Sequence, residues 1–214
     1  LDAGAGFGQY TWRMSRMNKN WLIKAVDIDP DHTSGNRTFF AMAGLSGRVT
    51  CETADLTLLT EKETYDFILS VDVMEHIRED ELVFTNFFKA LKPGGVLLIS
   101  TPSDKGGSDV HHEGELSFID EHVRDGYSID DITGKLSRAG FRNIRARYTY
   151  GIPGSISWRL SMKYPVKMLN SSAAFYLILP FYYLVIFPFA LILNSFDLIL
   201  THKSGTGLLV SADK

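Results

Sequence analysis

The chain has 214 residues, of which 45% are hydrophobic, 22% charged and 12% aromatic. That composition fills one sizeable core and excludes a disordered chain, a collagen-like repeat and a small disulfide scaffold. The net charge of −3 lacks the basic excess of a general nucleic-acid binder, but it hides an asymmetry: residues 133–196 hold eight Lys and Arg and no Asp or Glu, leaving 14 bases against 25 acids elsewhere.

The opening, Leu1-Asp2-Ala3-Gly4-Ala5-Gly6-Phe7-Gly8, reads as the end of a strand passing through a glycine-rich turn into a helix over residues 10–18. Because the text starts on this turn, with Leu1 rather than Met, an upstream strand and helix are expected. Residues 21–27 (WLIKAVD) form a short apolar strand closed by Asp27-Ile28-Asp29-Pro30, and a helix follows over residues 31–43. Strands are expected at 48–52, 67–71 (FILSV) and 96–100 (VLLIS), with an amphipathic helix at 79–91 stopped by Lys92-Pro93-Gly94-Gly95. Strands alternating with helices at this spacing pair in parallel through right-handed crossovers, which gives an open α/β sheet. Ligands bind such sheets at the carboxyl ends of the strands, near the point where strand order reverses.

Beyond Pro102 the pattern loosens into a polar loop, residues 103–116, containing His111, His112 and Glu113. That trio falls short of a closed metal site, which needs about four ligands, so it is read as a solvated loop and no metal is expected. Ser128 is placed to cap a helix with Asp130 and Asp131 in its first turn and Gly140 as its stop. Strands follow at 143–150 and 207–212. The lone Cys51 excludes an internal disulfide, and a reduced cytoplasmic setting is the default.

Glycines at alternate positions let the backbone turn tightly and approach a ligand closely, and the helix start beyond them offers amide donors. This is not the dinucleotide fingerprint: a G-x-G-x-x-G read from Gly4 and Gly6 requires glycine where Gln9 stands, which disfavours a nicotinamide dehydrogenase. No Gly-Lys-Ser/Thr follows, so it is not a phosphate-binding P-loop either. Asp27, about 20 residues on at the end of the next strand, sits where such folds place an acid for ribose hydroxyls.

These residues resemble the class I S-adenosylmethionine-dependent methyltransferases, over about residues 1–150 plus the final strand. Asp2, Gly4, Gly6 and Gly8 are similar to that family's first motif, around the methionine part of the cofactor. Asp27 matches the ribose-binding acid, and Ala54-Asp55-Leu56 the motif whose carboxylate meets the adenine amine. Tyr65-Asp66 and Ser70-Val71-Asp72-Val73-Met74-Glu75-His76-Ile77 resemble the fourth-strand motif, and Leu91-Lys92-Pro93-Gly94-Gly95 the turn before strand five. The resemblance implies a Rossmann-like, doubly wound, seven-stranded sheet in three α/β/α layers with an antiparallel last strand. It also implies S-adenosyl-L-methionine as cofactor, with Asp72 among the residues that contact it.

Capping competes with these roles: Asp29 is read as structural, Asp55 is evenly balanced, and Glu75 and His76 suit a helix end as well as catalysis. A general base is needed only for a protonated acceptor. His111 is nominated for it, with His112, His76 and Tyr127 as the other candidates. A non-catalytic cofactor-binding scaffold is the alternative to a methyltransferase, and self-association is open.

Residues 151–204 read as an insertion into the domain formed by 1–150 and 205–214. Residues 173–193 are nearly all apolar, about the length that spans a bilayer. A single crossing would put the last strand on the wrong side of the membrane, and Pro180 and Pro188 are expected to interrupt a continuous helix. A re-entrant hairpin or helices in the interface fit better. Ile156, Leu160, Tyr164 and Met168 make an apolar stripe beside Arg159, Lys163 and Lys167, with Pro165 expected to kink or divide that helix. Peripheral membrane contact through residues 155–200 and a lipophilic acceptor, such as a quinone precursor, a polyprenyl compound or a glycolipid, are the expectations.

Overall fold

A computed structural model describes residues 1–105 and 123–214. Seven strands form one sheet: β1 (Asp2–Ala3), β2 (Ile23–Asp27), β3 (Val49–Thr53), β4 (Tyr65–Val71), β5 (Leu91–Pro102), β6 (Arg142–Thr149) and β7 (Gly207–Asp213). Their order is β3-β2-β1-β4-β5-β7-β6. The first five pair in parallel, and β7 runs antiparallel to both neighbours. Strand order reverses at β1, which lies between β2 and β4, so the crevice expected for a ligand opens where β1 and β4 end.

Alternation along the strands divides the core into two layers. On one face Val26, Ile68 and Leu97 pack with Phe84 and Phe87 of α3 (Asp80–Ala90) and with Ile132 and Leu136 of α4 (Ile129–Ala139). On the other, Ala25, Cys51 and Leu69 meet Met14 of α1 (Gln9–Met17) and Phe40 of α2 (Pro30–Met42). The expected three-layer α/β/α architecture is therefore present. Helix ends follow the sequence signals: Asp29 caps α2 by accepting from the Asp31 amide at 2.8 Å, and Ser128 caps α4 by accepting from the Asp131 amide at 3.0 Å. Gly140 closes α4 in the left-handed conformation.

Between β6 and β7 stands a helical hairpin. Its outgoing arm is α5 (Ile152–Trp158), a π-helical turn (Arg159–Lys163) and α6 (Tyr164–Ser171); its returning arm is α7 (Phe175–Ile199). Pro165 explains the π turn. Lacking an N–H, it cannot close the ladder, and the carbonyls of Leu160 and Ser161 accept instead from the hydroxyls of Tyr182 (2.6 Å) and Tyr183 (2.8 Å) on α7. Pro180 and Pro188 do not interrupt α7, contrary to the sequence expectation. Each removes one backbone donor, while the other residues of this 25-residue helix keep its ladder running on either side.

Asp197 clasps the hairpin root. Its carboxylate accepts from the amides of Tyr150 (2.8 Å) and Gly154 (3.0 Å) and lies 3.0 Å from His202 Nε2. The chain thus enters and leaves the hairpin at one point of the sheet.

Candidate active site

The glycine loop leaves β1 by a tight turn that positive φ makes possible: +81° at Gly4, +49° at Gly6 and +76° at Gly8. At Gly4 a Cβ would lie 2.2 Å from Val73 Cγ2, so only glycine allows the loop to pack against the end of β4. Over Gly6 the opposite holds: a Cβ there would meet nothing within 4 Å, leaving open space above the loop. Asp2 is buried beneath the turn and accepts from Thr11 Oγ1; burial raises its pKa, against that hydrogen bond.

Asp27 ties the loop to β2. Its Oδ2 accepts from the Gly6 amide at 2.7 Å and its Oδ1 from the Asp29 amide at 2.9 Å. A carboxylate has about four acceptor positions, so capacity remains on both oxygens for ribose hydroxyls. Asn36 Nδ2 donates to the Gly6 carbonyl at 2.7 Å from α2 and fixes the loop's other side. His32, which the sequence reading did not single out, packs edge-on against Phe7 with ring centroids 4.5 Å apart. Its buried Nδ1 lies 3.6 Å from Asp27 Oδ1 and has no hydrogen-bond partner among the described residues.

Asp55 is a cap in this structure. Its Oδ1 accepts from the amide (2.8 Å) and hydroxyl (2.7 Å) of Thr57, starting the 3₁₀ turn Leu56–Leu58, and Leu56 is buried. One carboxylate oxygen is therefore engaged locally, and the other is the one available to an adenine amine. Ile28, 71% exposed between Asp27 and Asp29, is a further apolar side chain beside this end of the crevice. The only signal for it was an isolated apolar residue in Val-Asp-Ile-Asp-Pro.

Asp72 directly follows β4 with φ +53° and is exposed, though much of its surroundings is protein. That desolvation raises its pKa, with His76 opposing. Burial and then the Asp72 charge raise the phenols of Tyr10 and Tyr150, which places all three groups in one neighbourhood. Sequence reasoning missed Tyr10 and Tyr150, since one lies in a helix and the other ends a strand, with nothing local to join them. Glu75 is buried and accepts from Thr101 Oγ1 at 3.1 Å; burial foremost, with the Asp72 charge adding, pushes its pKa to about 7.

Tyr127, a candidate base in the sequence, is fully buried, with its hydroxyl 2.7 Å from Asp80 Oδ2 and 3.0 Å from the Met74 carbonyl. Arg124 and Lys135 also bind Asp80, so this phenol belongs to a packed ionic network and is not available as a base. His111, His112 and Glu113 lie outside the described residues.

A family model described as a methyltransferase domain matches residues 1–146. This chain belongs to the methyltransferase-domain family. A phosphoethanolamine N-methyltransferase of Triticum aestivum is 33% identical over 150 residues, covering 68% of this chain and 28% of that protein. A ubiquinone biosynthesis O-methyltransferase of Dinoroseobacter shibae is 27% identical over 172 residues, 75% of this chain and 66% of that one. The methyltransferase domain thus spans little more than a quarter of the length of the wheat relative. Among solved structures, the Haemonchus contortus phosphoethanolamine N-methyltransferase 2 in complex with S-adenosyl-L-methionine superposes with a TM-score of 0.67 at 18% identity, over the whole of this chain and 48% of that one. S-adenosylmethionine is the cofactor of this methyltransferase domain. The open space over Gly6, the spare acceptor positions of Asp27 and the orphaned Nδ1 of His32 fit a ligand with a ribose and an extended polar chain.

Proposed function

We propose that this domain transfers the methyl group of S-adenosylmethionine to a small lipophilic acceptor bearing a hydroxyl, of the kind found in quinone precursors, polyprenyl compounds or glycolipids. The observation that carries the reading is the apolar hairpin springing from Tyr150, the residue that shares its surroundings with Asp72 at the end of β4.

The bound cofactor supplies an already electrophilic methyl group, so the protein's task is to align the two reactants and keep water out. Asp2 and the Gly4–Gly8 turn shape the floor, and Asp27 holds the loop while orienting the ribose. Tyr10 and Tyr150 flank the acceptor's side of the crevice. Asp72 is the group placed to take a hydroxyl proton, and its raised pKa brings it nearer the neutral range in which a general base works best.

The test offers radiolabelled S-adenosylmethionine with a short-chain prenylated catechol or with phosphoethanolamine. Methylation of the prenylated compound, with turnover at saturating cofactor lost in Asp72→Asn whatever the change in cofactor affinity, supports the reading. Methylation of phosphoethanolamine alone would replace it, and tight binding of S-adenosylhomocysteine without transfer to any lipid extract would favour a cofactor-binding scaffold.

A further inference from the structure

An α-helix that is apolar around its whole circumference belongs inside protein or lipid. α7 is such a helix, and almost none of it is inside: its most apolar 18-residue window has a mean hydropathy of 2.2 and is 6% buried. Only one face is covered, where Leu179, Tyr182, Tyr183 and Ala190 meet the outgoing arm. Leu177, Phe181, Leu184 and Ile192 project on the opposite side, 53–78% exposed.

The outgoing arm is organised the other way round. Gly154, Ser157 and Pro165 are buried and Ser161 accepts from Tyr183, which identifies its α7-facing side. Arg159, Lys163 and Lys167 each follow one of that row by two residues, about 200° around the helix, so the basic row lies on the side away from α7. The hairpin is therefore a two-helix layer with cations on one surface and bare hydrocarbon on the other. The clasped root keeps β6 and β7 on one side of whatever the hairpin enters.

We propose that the hairpin is a monotopic membrane anchor. α7 sinks sideways into the acyl region of one leaflet, and Arg159, Lys163 and Lys167 remain at the level of anionic phosphates. A tip-first insertion is disfavoured because Lys163, halfway along the outgoing arm, would be carried into hydrocarbon. The anchor holds the Tyr150 and Asp72 side of the crevice close to the bilayer, and it stands independently of which acceptor is methylated.

Flotation of the full chain with vesicles decides it. With phosphatidylcholine mixed with phosphatidylglycerol, the chain is expected to float. The triple substitution Leu177→Gln, Phe181→Gln and Leu184→Gln is expected to lower the bound fraction at least tenfold, while thermal unfolding and cofactor affinity stay unchanged. Changing Arg159, Lys163 and Lys167 to Gln leaves the apolar surface intact and should erase the preference for phosphatidylglycerol over pure phosphatidylcholine. A chain that stays in the aqueous fraction with both vesicles overturns the anchor, as does flotation unaffected by the apolar triple. A stable dimer that the apolar triple turns into a monomer, without vesicle binding by either form, assigns the face to a second copy instead. Neither result bears on the acceptor, which the transfer assay reads separately.

Discussion

Phe84 and Phe87 on α3 have no accessible surface, whereas Phe181 and Phe189 on α7 are 73% and 59% exposed. Both pairs sit on helices of one chain, yet α3 turns its aromatic side toward a sheet and has its buried Asp80 paired with Arg124 and Lys135, while α7 has hydrocarbon on nearly every side and a neighbour on only one. Between them lies the difference between a helix that completes a core and one that offers its surface to something else. The cofactor-binding half buries a continuous core and leaves single apolar side chains such as Phe7, Leu22 and Met42 exposed, whereas the hairpin leaves a whole helix face bare.

The largest expected effect separates the two regions directly. Phe87→Ala should cost about 3–5 kcal/mol of stability, because transfer and cavity terms add in a close-packed core. The same deletion at Phe181 should stay within about 0.5 kcal/mol in water, as surface changes do. Denaturant midpoints for both variants measure it, and equal losses would mean that the hairpin packs inward after all.

Next come the residues of the crevice. Asp27→Ala leaves the Gly6 amide without its partner and removes the ribose acceptor, and titration calorimetry with S-adenosylmethionine should show an affinity loss of about 100-fold, worth about 3 kcal/mol. Vesicle flotation should not change, which separates cofactor holding from membrane holding.

A pH effect follows from Glu75. Its folded-state pKa of about 7 lies above the ordinary 4.5, so the folded protein keeps a proton that the unfolded chain gives up between those values. The contribution to stability is complete below about pH 4.5, is lost as pH rises through about 7, and is flat above it; its size is at most about 3 kcal/mol. Urea midpoints at pH 5 and pH 8 should differ less in Glu75→Gln than in the parent chain.

The smallest expected effect is Ser128→Ala. It removes the side-chain acceptor for the Asp131 amide and should cost about 1 kcal/mol by thermal unfolding.

The elements of the sheet domain were legible because their signals are local. Short apolar runs marked the strands, and Ser128 and Gly140 bounded α4 within a residue; α3 ends at Ala90 as expected to within a residue, but Lys92-Pro93-Gly94-Gly95, read as a turn, lies inside β5. The glycine turn was legible because only residues without a Cβ tolerate such φ values at a close approach, as Gly4 against Val73 shows. Less was visible wherever a role depended on partners distant in sequence. Tyr127 passed as a free phenol until Asp80, Arg124 and Lys135 were seen around it. The prolines of α7 were read as breaks because a local rule counts the lost donors but not the ladder that continues around them.

The sequence by itself determined the α/β class, the glycine loop with its ribose acid, and the segregation of an acidic sheet from a basic, apolar insertion, since spacing and composition are written along the chain. Only the tertiary structure decided that Tyr10 and Tyr150 lie close enough to Asp72 for its charge to act on both phenols. It also decided that the insertion folds back on itself with its cations on one surface and its hydrocarbon on the other. Which side of a helix remains bare is fixed by what packs against it, and packing is a property of the folded chain.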